Sequence, residues 1–425
     1  MARTFMSAAE VAAERATFRD VFANSEFRAL WLAQLLSVAG DQLARVAMTV
    51  LVYDRTHSAL WTAATYAATF LPWILGSVTL SGLADRLPRR QLMVACDAAR
   101  LMLVSLMALV SLVVASGAAL WIMVALLFVV TLLDSPFKSA RSALVPDILT
   151  GDHYVLGTAV TQTTFQVGTV VGFALGGVAV SLLGVRSALM VDAATFGASA
   201  VLLWSQVAPR PAAAPAVLVQ ERSQSAGMAA GMRLVFGQRI LRTLVLFGWL
   251  VAFYEVPLSL AVPYAARFHH LALPVAAGLI FASVPFGNIL GLVVVGRLVT
   301  PARRRIWMGP LAVLACGLLA LCWFRPGLIA SMCIFVIAGA CAAYQLPANA
   351  SFVAAVPPER RGQAFGLANG GMQVSQGLWF VAAGAAALAV APAVVIAVSG
   401  SLGAVVAAGL AKTWQEQARF HGSES

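Results

Sequence analysis

Charge is scarce in this sequence. Of its 425 residues only 11% are Asp, Glu, Lys or Arg, less than half the ~25% typical of soluble globular chains. Single soluble cores stop growing near ~250–300 residues, so no water-soluble fold of this length hides the 61% that are hydrophobic. That excludes a cytosolic enzyme, a nucleic-acid binder and a disordered chain. Cysteine also lacks pattern. Cys96, Cys316, Cys322, Cys333 and Cys341 all lie in apolar stretches, and none are spaced as C-x2-C, so neither a metal site nor a disulfide framework is expected. The pair His269-His270 falls in a short loop and carries no metal expectation. There is no G-x-x-x-x-G-K-S/T loop, so ATP is not the fuel. There is also no H-E-x-x-H pair and no G-x-S-x-G elbow, so the chain is not expected to be an enzyme. Residues 1–27 mix Arg with Glu and offer no uninterrupted apolar stretch. They read as a cytoplasmic amphipathic segment on the membrane surface rather than a signal peptide.

What is present is a series of long apolar runs, with a mean hydropathy of +0.88. A hydrocarbon core of ~30 Å takes about 20 apolar residues per span. Twelve runs qualify: 28–53, 58–80, 91–115, 119–136, 154–183, 186–205, 241–264, 273–296, 306–324, 327–346, 362–389 and 391–411. Strand-like alternation is missing, so all are read as helices. The longest polar interval, 206–240, divides them six and six. The expected organisation is an N-terminal bundle over 28–205, a cytoplasmic linker over 206–240 and a C-terminal bundle over 241–411, with a cytoplasmic tail over 412–425. Within the linker, 228–238 has the composition of a surface helix. With the N-terminus inside, the outer loops hold only Arg55, Arg186, Arg267 and Arg325 of the 28 basic residues, and Arg45 lies within the first span. The positive-inside rule then places both termini in the cytoplasm of a cell-membrane protein. The net charge of +11 is accounted for by topology, and no nucleic-acid partner is implied.

The two halves echo each other. Gly82 precedes Arg89-Arg90 as Gly296 precedes Arg303-Arg304, at a shift of 214. Pro136, Val145-Pro146 and Gly151 return as Pro347, Val356-Pro357 and Gly362, at a shift of 211. Parallel six-helix repeats with a site between them near the midplane organise one large class of secondary transporters.

The loop after the second run reads Ser81-Gly82-Leu83-Ala84-Asp85-Arg86-Leu87-Pro88-Arg89-Arg90. It resembles the G-x-L-A-D-R-x-G-R-R signature of the major facilitator superfamily, with Ser81 and Pro88 replacing its first and last glycines. The fifth span carries Gly168, Gly172, Gly176 and Gly177, similar to the antiporter pattern G-x-x-x-G-P-x-x-G-G with Phe173 at the proline. Gly40-Asp41-Gln42, the run Ser135 to Arg141, and Val262-Pro263-Tyr264 resemble a drug/proton antiporter branch containing macrolide-efflux and siderophore-export proteins. The resemblance covers about residues 20–412. It implies an all-α polytopic fold of twelve transmembrane helices in two pseudo-symmetric six-helix bundles. It also implies a conformational gate of Gly82, Asp85, Arg86, Arg89, Arg90, Asp97, Arg100 and Arg141. Carboxylate–arginine pairs there can latch the cytoplasmic side and break as the halves rock; topology alone is the other reading of those arginines. Small residues on the fifth span allow close helix approach, whether for packing alone or for antiport.

Charges inside the spans need a reason, because each costs at least ~2.5–3.5 kcal/mol at the bilayer centre. Asp41 has Arg45 one turn on, as a structural ion pair or as a proton or substrate site that Arg45 releases. Glu255 has no basic residue within a turn and reads as a coupling or cation-contacting acid, or as a neutral hydrogen-bonded one. Asp134 with Lys138 reads as a structural or gating pair and Asp192 as a helix-packing group, and both are also candidate proton-coupling or substrate groups. A carboxyl withdrawn from water favours its neutral form, which proton exchange near neutral pH requires. Spans eight to eleven hold no charge. Their polar groups include Asn288, Gln345, Asn349, Asn369, Gln373 and Gln376, and Gln373 and Gln376 share a helix face. They are set to contact substrate or to bond between helices. Trp61, Tyr66, Trp73, Phe253, Tyr254 and Trp379 line a cavity or pack against lipid.

The expected function is efflux of an apolar or amphipathic small molecule, drug-like or a siderophore, by alternating access in exchange for protons. No cofactor is expected, the proton gradient being the energy source. The partners are the substrate, protons and the lipid bilayer, with the chain a monomer. The rival readings are a lipid or lysolipid flippase on the same scaffold and a proton-coupled nutrient importer.

Overall fold

Apolar side chains on every face leave the backbone only its own hydrogen bonds, and the chain is helical wherever it is long and apolar. The computed structural model describes residues 17–70, 72, 75, 76, 79, 80, 83–112, 117–210, 224–357 and 360–422. Gly82, Trp73, the segment 1–16 and residues 211–223 of the linker lie outside the described residues, and of Asp85 only the backbone is described.

Helices α1 (Phe18–Ala23), α2 (Ser25–Thr56), α3 (Ala59–Ala67), α4 (Leu83–Arg86), α5 (Arg89–Val110), α6 (Gly117–Leu132), α7 (Asp134–Ile148) and α8 (Gly151–Gln206) build the first half. Asn24 caps α2 by accepting from the backbone N–H groups of Glu26 and Phe27. The continuous α8 is two arms that meet at Gly184, whose φ of +78° and ψ of 166° are open to glycine. This is where the hydropathy of 154–183 and 186–205 breaks.

The second half comprises α9 (Gln224–Gly237), α10 (Arg239–Trp249), α11 (Val251–Tyr254), α12 (Val256–Ser259), α13 (Ala261–Ala265), α14 (Leu273–Leu298), α15 (Pro301–Gly317), α16 (Leu328–Cys341), α17 (Gln345–Ala355), α18 (Arg361–Ala386) and α19 (Pro392–Gly422). Short 3-10 turns at Leu318–Phe324 and Ala342–Tyr344 extend α15 and join α16 to α17. Among the described residues nine helices are long and apolar enough to cross a membrane. One of them is the two-armed α8, and α3 and α18 occupy two further expected spans. The set fits twelve crossings.

The halves meet where small residues let backbones touch. A Cβ on Gly278 of α14 would stand 2.7 Å from the Phe173 carbonyl oxygen and 2.9 Å from the Gly177 Cα, so only glycine permits this crossing of α14 over the first arm of α8. At the same end Gly384 of α18 lies on Ala63 and Leu60 of α3. Rings fill the seam between these contacts. Phe173 stacks on Phe281 at 5.0 Å, and Tyr66 stacks on Phe281 at 5.4 Å. Phe380 meets both Tyr66 and Phe70, at 5.8 and 5.6 Å. Such pairs contribute about 0.5–1.5 kcal/mol each beyond their burial.

Candidate functional site

Two polar regions are set in this apolar scaffold. The first lies inside the N-terminal half. Helix α7 opens at Asp134, whose carboxylate sits in the first turn, where helix amide groups favour negative charge. Asp134 Oδ2 is 2.5 Å from Lys138 Nζ, and its Oδ1 accepts from Arg100 Nη2 at 3.0 Å. Arg100 also lies 3.9 Å from Asp97, which accepts a 2.6 Å hydrogen bond from Ser199. The Arg100 guanidinium packs on the rings of Phe137 and Phe196. Asp97 and Arg100 are 0% and 1% exposed, enclosed by their neighbours in the bundle.

A cavity of about 30 Å³ adjoins this network, lined by Asp41, Arg45, Thr69, Arg100, Asp134 and Asp192 among others. That volume holds about two waters, at ~10–15 Å³ each. Asp97 Oδ1, Arg100 Nη1 and Asp192 Oδ1 have no hydrogen-bond partner among the described residues. The cavity thus joins two carboxylates without an ion-pair partner among the described residues, Asp41 and Asp192, with the doubly paired Asp134. Asp41 and Arg45 share its wall, yet no ion pair within 4.0 Å joins them, contrary to the ion-pair reading of their spacing. Arg45 instead lies beside the Tyr66 hydroxyl. Asp192 packs against Gly40 of α2 while also facing this cavity, so packing and cavity lining coincide in one residue.

The second region lies between the halves. Here α11 and α12 are interrupted at Glu255, with φ −93° and ψ 2°. Pro257 has no N–H to offer and its ring crowds the preceding turn, which breaks the helix and presents Glu255 at the gap. Gln345 opens α17 two residues ahead of Pro347, after the 3-10 turn, and Asp134 likewise stands two residues ahead of Pro136. A polar residue two positions before an intramembrane proline was the available signal for Gln345, which sequence reasoning left among general polar groups. Glu255 accepts a short hydrogen bond from Gln376 Nε2, and Gln345 Nε2 donates to the Tyr254 hydroxyl at 2.7 Å. These groups, with Asn288, Phe70 and Gln166, line a cavity of about 320 Å³, within the ~300–1,000 Å³ of small-molecule sites. Gln376 is brought to this site. Gln373 is half-buried on the same helix and is not among the lining residues.

The turn just after α3, midway along the second span, separates the two regions. Thr69 faces the small cavity and Phe70 the large one, three and four residues after Tyr66.

The arginines of the signature loop are held within their own half. Arg89 pairs with Asp147 and donates to the Ala143 carbonyl at 2.8 Å. Arg90 donates to the Val207 carbonyl at 2.9 Å and covers the Trp204 ring. Arg86 ends α4 and is exposed. Arg141 lies on α7 within electrostatic reach of Asp134. On α8, a Cβ at Gly168 would meet Val38, at Gly172 Gln42, and at Gly176 Leu43. These three pack the fifth span on α2, while Gly177 turns toward α14.

Comparison with known proteins gives a consistent picture. The sequence model described as Major Facilitator Superfamily matches residues 30–379. The multidrug efflux pump Tap of Mycobacterium tuberculosis is 25% identical over 311 residues, covering 72% of this chain and 74% of the pump. Among solved structures, the nucleoside transporter NupG superposes with a TM-score of 0.69 at 12% identity, over 91% of this chain and 98% of its own. A bacterial homologue of the human lysosomal transporter Spinster, inward-facing and occupied, gives 0.67 at 16% identity, over 92% and 96%. At those identities the two structures speak to the fold alone.

Proposed function

Because the chain belongs to the Major Facilitator Superfamily, a family of multi-pass membrane transporters, we propose that it is a secondary efflux transporter. It exports an apolar or amphipathic small molecule by alternating access, in exchange for protons. The observation that carries this reading is the pair of cavities on either side of residues 66–70. The larger one is sized for an organic substrate and is lined mainly by uncharged groups around Glu255. The smaller one holds Asp41, Asp134 and Asp192 with Arg45 and Arg100. In this reading the substrate occupies the first and protons titrate the second. Arg45 beside Tyr66 links the proton cluster to the aromatic seam between the halves. The distribution of Lys and Arg puts both termini in the cytoplasm. The close contacts at Gly177, Gly278 and Gly384 then lie toward the outer end. The similarity to a pump named for multidrug efflux supports export over import.

Reconstitution in proteoliposomes tests this. An imposed pH gradient is expected to drive accumulation of an amphipathic fluorescent dye, and a protonophore to abolish it. Asp41→Asn is expected to retain dye binding and lose the response to the gradient. Absence of gradient-driven flux for dyes, with transfer of a labelled lysolipid instead, would replace efflux by the flippase reading.

A further inference from the structure

The end of the second half opposite the linker carries positive charge that the protein does not balance. Its loops, 266–272, 325–327 and 387–391, hold Arg267, His269, His270 and Arg325 and no acid. The whole stretch from residue 256 to residue 358 contains no Asp or Glu. On the orientation proposed above this is the outer side, where the positive-inside bias disfavours Lys and Arg. Cations kept there need a reason.

Arg267 and Arg325 stand together. Arg267 Nη2 donates to the Tyr264 hydroxyl at 2.8 Å and to the carbonyl of Pro326, the neighbour of Arg325 in the chain. Its guanidinium lies on the rings of Tyr264 and Phe268, at 4.1 and 4.5 Å. These contacts fix the fork and cancel none of its charge. Its Nε is enclosed, whereas Nη1 is neither enclosed nor bonded among the described residues, which leaves that corner to an acceptor from outside. Arg325 is exposed, with no side-chain hydrogen bond or ion pair among the described residues. It holds φ 50° and ψ 55°, a left-handed turn where glycine is the usual occupant. On the same hairpin Trp323, Phe324 and Ile329 are 58%, 79% and 79% exposed, an apolar surface next to the two cations.

We propose that this corner binds an anionic phospholipid, its phosphate received by Arg267 Nη1 and Arg325 and its acyl chains lying on Trp323, Phe324 and Ile329. The inference needs the membrane-spanning fold and is independent of what is transported. A planar guanidinium matches phosphate oxygens. The apolar surround favours a lipid over a free phosphate ion, which would gain nothing from it. The lack of acids favours a net negative headgroup, because the cationic end of a zwitterionic one finds no partner here.

The purified full-length protein is titrated in detergent with phosphatidylglycerol, with phosphatidylcholine of the same chains and with inorganic phosphate, and bound lipid is counted by native mass spectrometry. The parent is expected to hold one phosphatidylglycerol at least about tenfold more tightly than phosphatidylcholine. Arg325→Gln gives up no protein contact and is expected to weaken phosphatidylglycerol about fivefold, leaving phosphatidylcholine unchanged. Arg267→Gln is expected to remove the preference, and Arg267→Lys to retain part of it. Because Arg267 also ties the end of α13 to the hairpin, melting curves check the fold of its variants, and Arg325→Gln decides if they fail. Arg186→Gln removes an exposed cation at the same end of the first half and is expected to change nothing. Phosphatidylglycerol is expected to raise the melting temperature of the parent and much less that of Arg325→Gln. Equal binding of the two lipids by the parent, or an unchanged preference in Arg325→Gln, overturns the proposal. So does an equal loss in Arg186→Gln. Inorganic phosphate that displaces phosphatidylglycerol at equal concentration overturns the lipid as occupant and makes this a site for a free anion.

Discussion

Asp134 neutralises two cations of unequal exposure. Arg100 is 1% exposed, while the Lys138 side chain retains 40% of its surface. Replacing Asp134 with Asn strands the buried guanidinium with only Asp97 at 3.9 Å. Breaking a buried pair by removing one partner costs roughly 3–5 kcal/mol. Lys138→Gln removes an exposed partner and is expected to cost no more than about 1 kcal/mol. Thermal melting in detergent is expected to fall sharply for Asp134→Asn and barely for Lys138→Gln. Equal losses would show that Arg100 does not depend on this carboxylate. The Asp134–Lys138 contact was legible in the sequence because i,i+4 residues share a helix face. The Arg100–Asp134 and Gln376–Glu255 contacts were not, since 34 and 121 residues separate the partners and no local rule fixes which helices face each other. Asp41 and Arg45 show the converse. Their spacing permits a pair, but each side chain has a cavity wall or a tyrosine to turn toward, and the pair is not made.

Hydropathy located the helices and mistook some of their ends. The fourth expected span stops at 136 and the tenth at 346, yet α7 continues to Ile148 and α17 to Ala355. Polar residues such as Arg141 and Asp147 end an apolar run without ending a hydrogen-bonded helix, because the backbone ladder does not depend on lipid. The seventh span fails in the opposite direction. It reads as one run over 241–264, but it divides into α10 to α13, and Pro257 and Pro263, in plain view in the sequence, follow two of the three breaks, those at Glu255 and Leu260. At the α8–α14 crossing the decisive element property is absence of a side chain. A methyl at Gly278 meets the Phe173 carbonyl and the Gly177 backbone, whereas Gly366 of α18 has nothing within 4 Å of its Cβ position. Gly278→Ala is therefore expected to destabilise by about 1–3 kcal/mol through overpacking. Gly366→Ala is expected to be neutral or stabilising by up to ~1 kcal/mol through helix propensity. Melting temperatures that rank the two variants the other way would mean that the crossing is looser than its geometry.

Alternating access requires that the whole molecule give up its seam once per cycle. The seam is made of contacts with little internal adjustability: stacked rings from Phe173, Tyr66, Phe281 and Phe380, flanked by backbone crossings at Gly278 and Gly384. Packed contacts of this kind are either made or parted, which suits a two-state transporter. A covalent tie across the seam should hold the molecule in one state without touching either cavity. The Cβ position of Gly384 stands 2.5 Å from the Ala63 methyl carbon, closer than the ~3.5–4.5 Å of a disulfide's Cβ pair, so Ala63→Cys with Gly384→Cys joins two thiols on opposite halves once the α3–α18 crossing opens by about 1 Å. Because Cys333 is exposed, the background should carry Cys333→Ser. Oxidised protein is expected to bind the amphipathic dye normally, since neither tied residue lines the large cavity, and to lose gradient-driven flux. Reductant is expected to restore the flux of the reduced double variant, and neither single cysteine to respond to oxidation, with Gly384→Cys alone giving the baseline for the crowded crossing. Binding that survives while flux is lost separates occupancy of the site from passage through the molecule. Full flux in the cross-linked protein would mean that the halves do not part along Tyr66, Phe281 and Phe380, and the exit would then have to lie elsewhere.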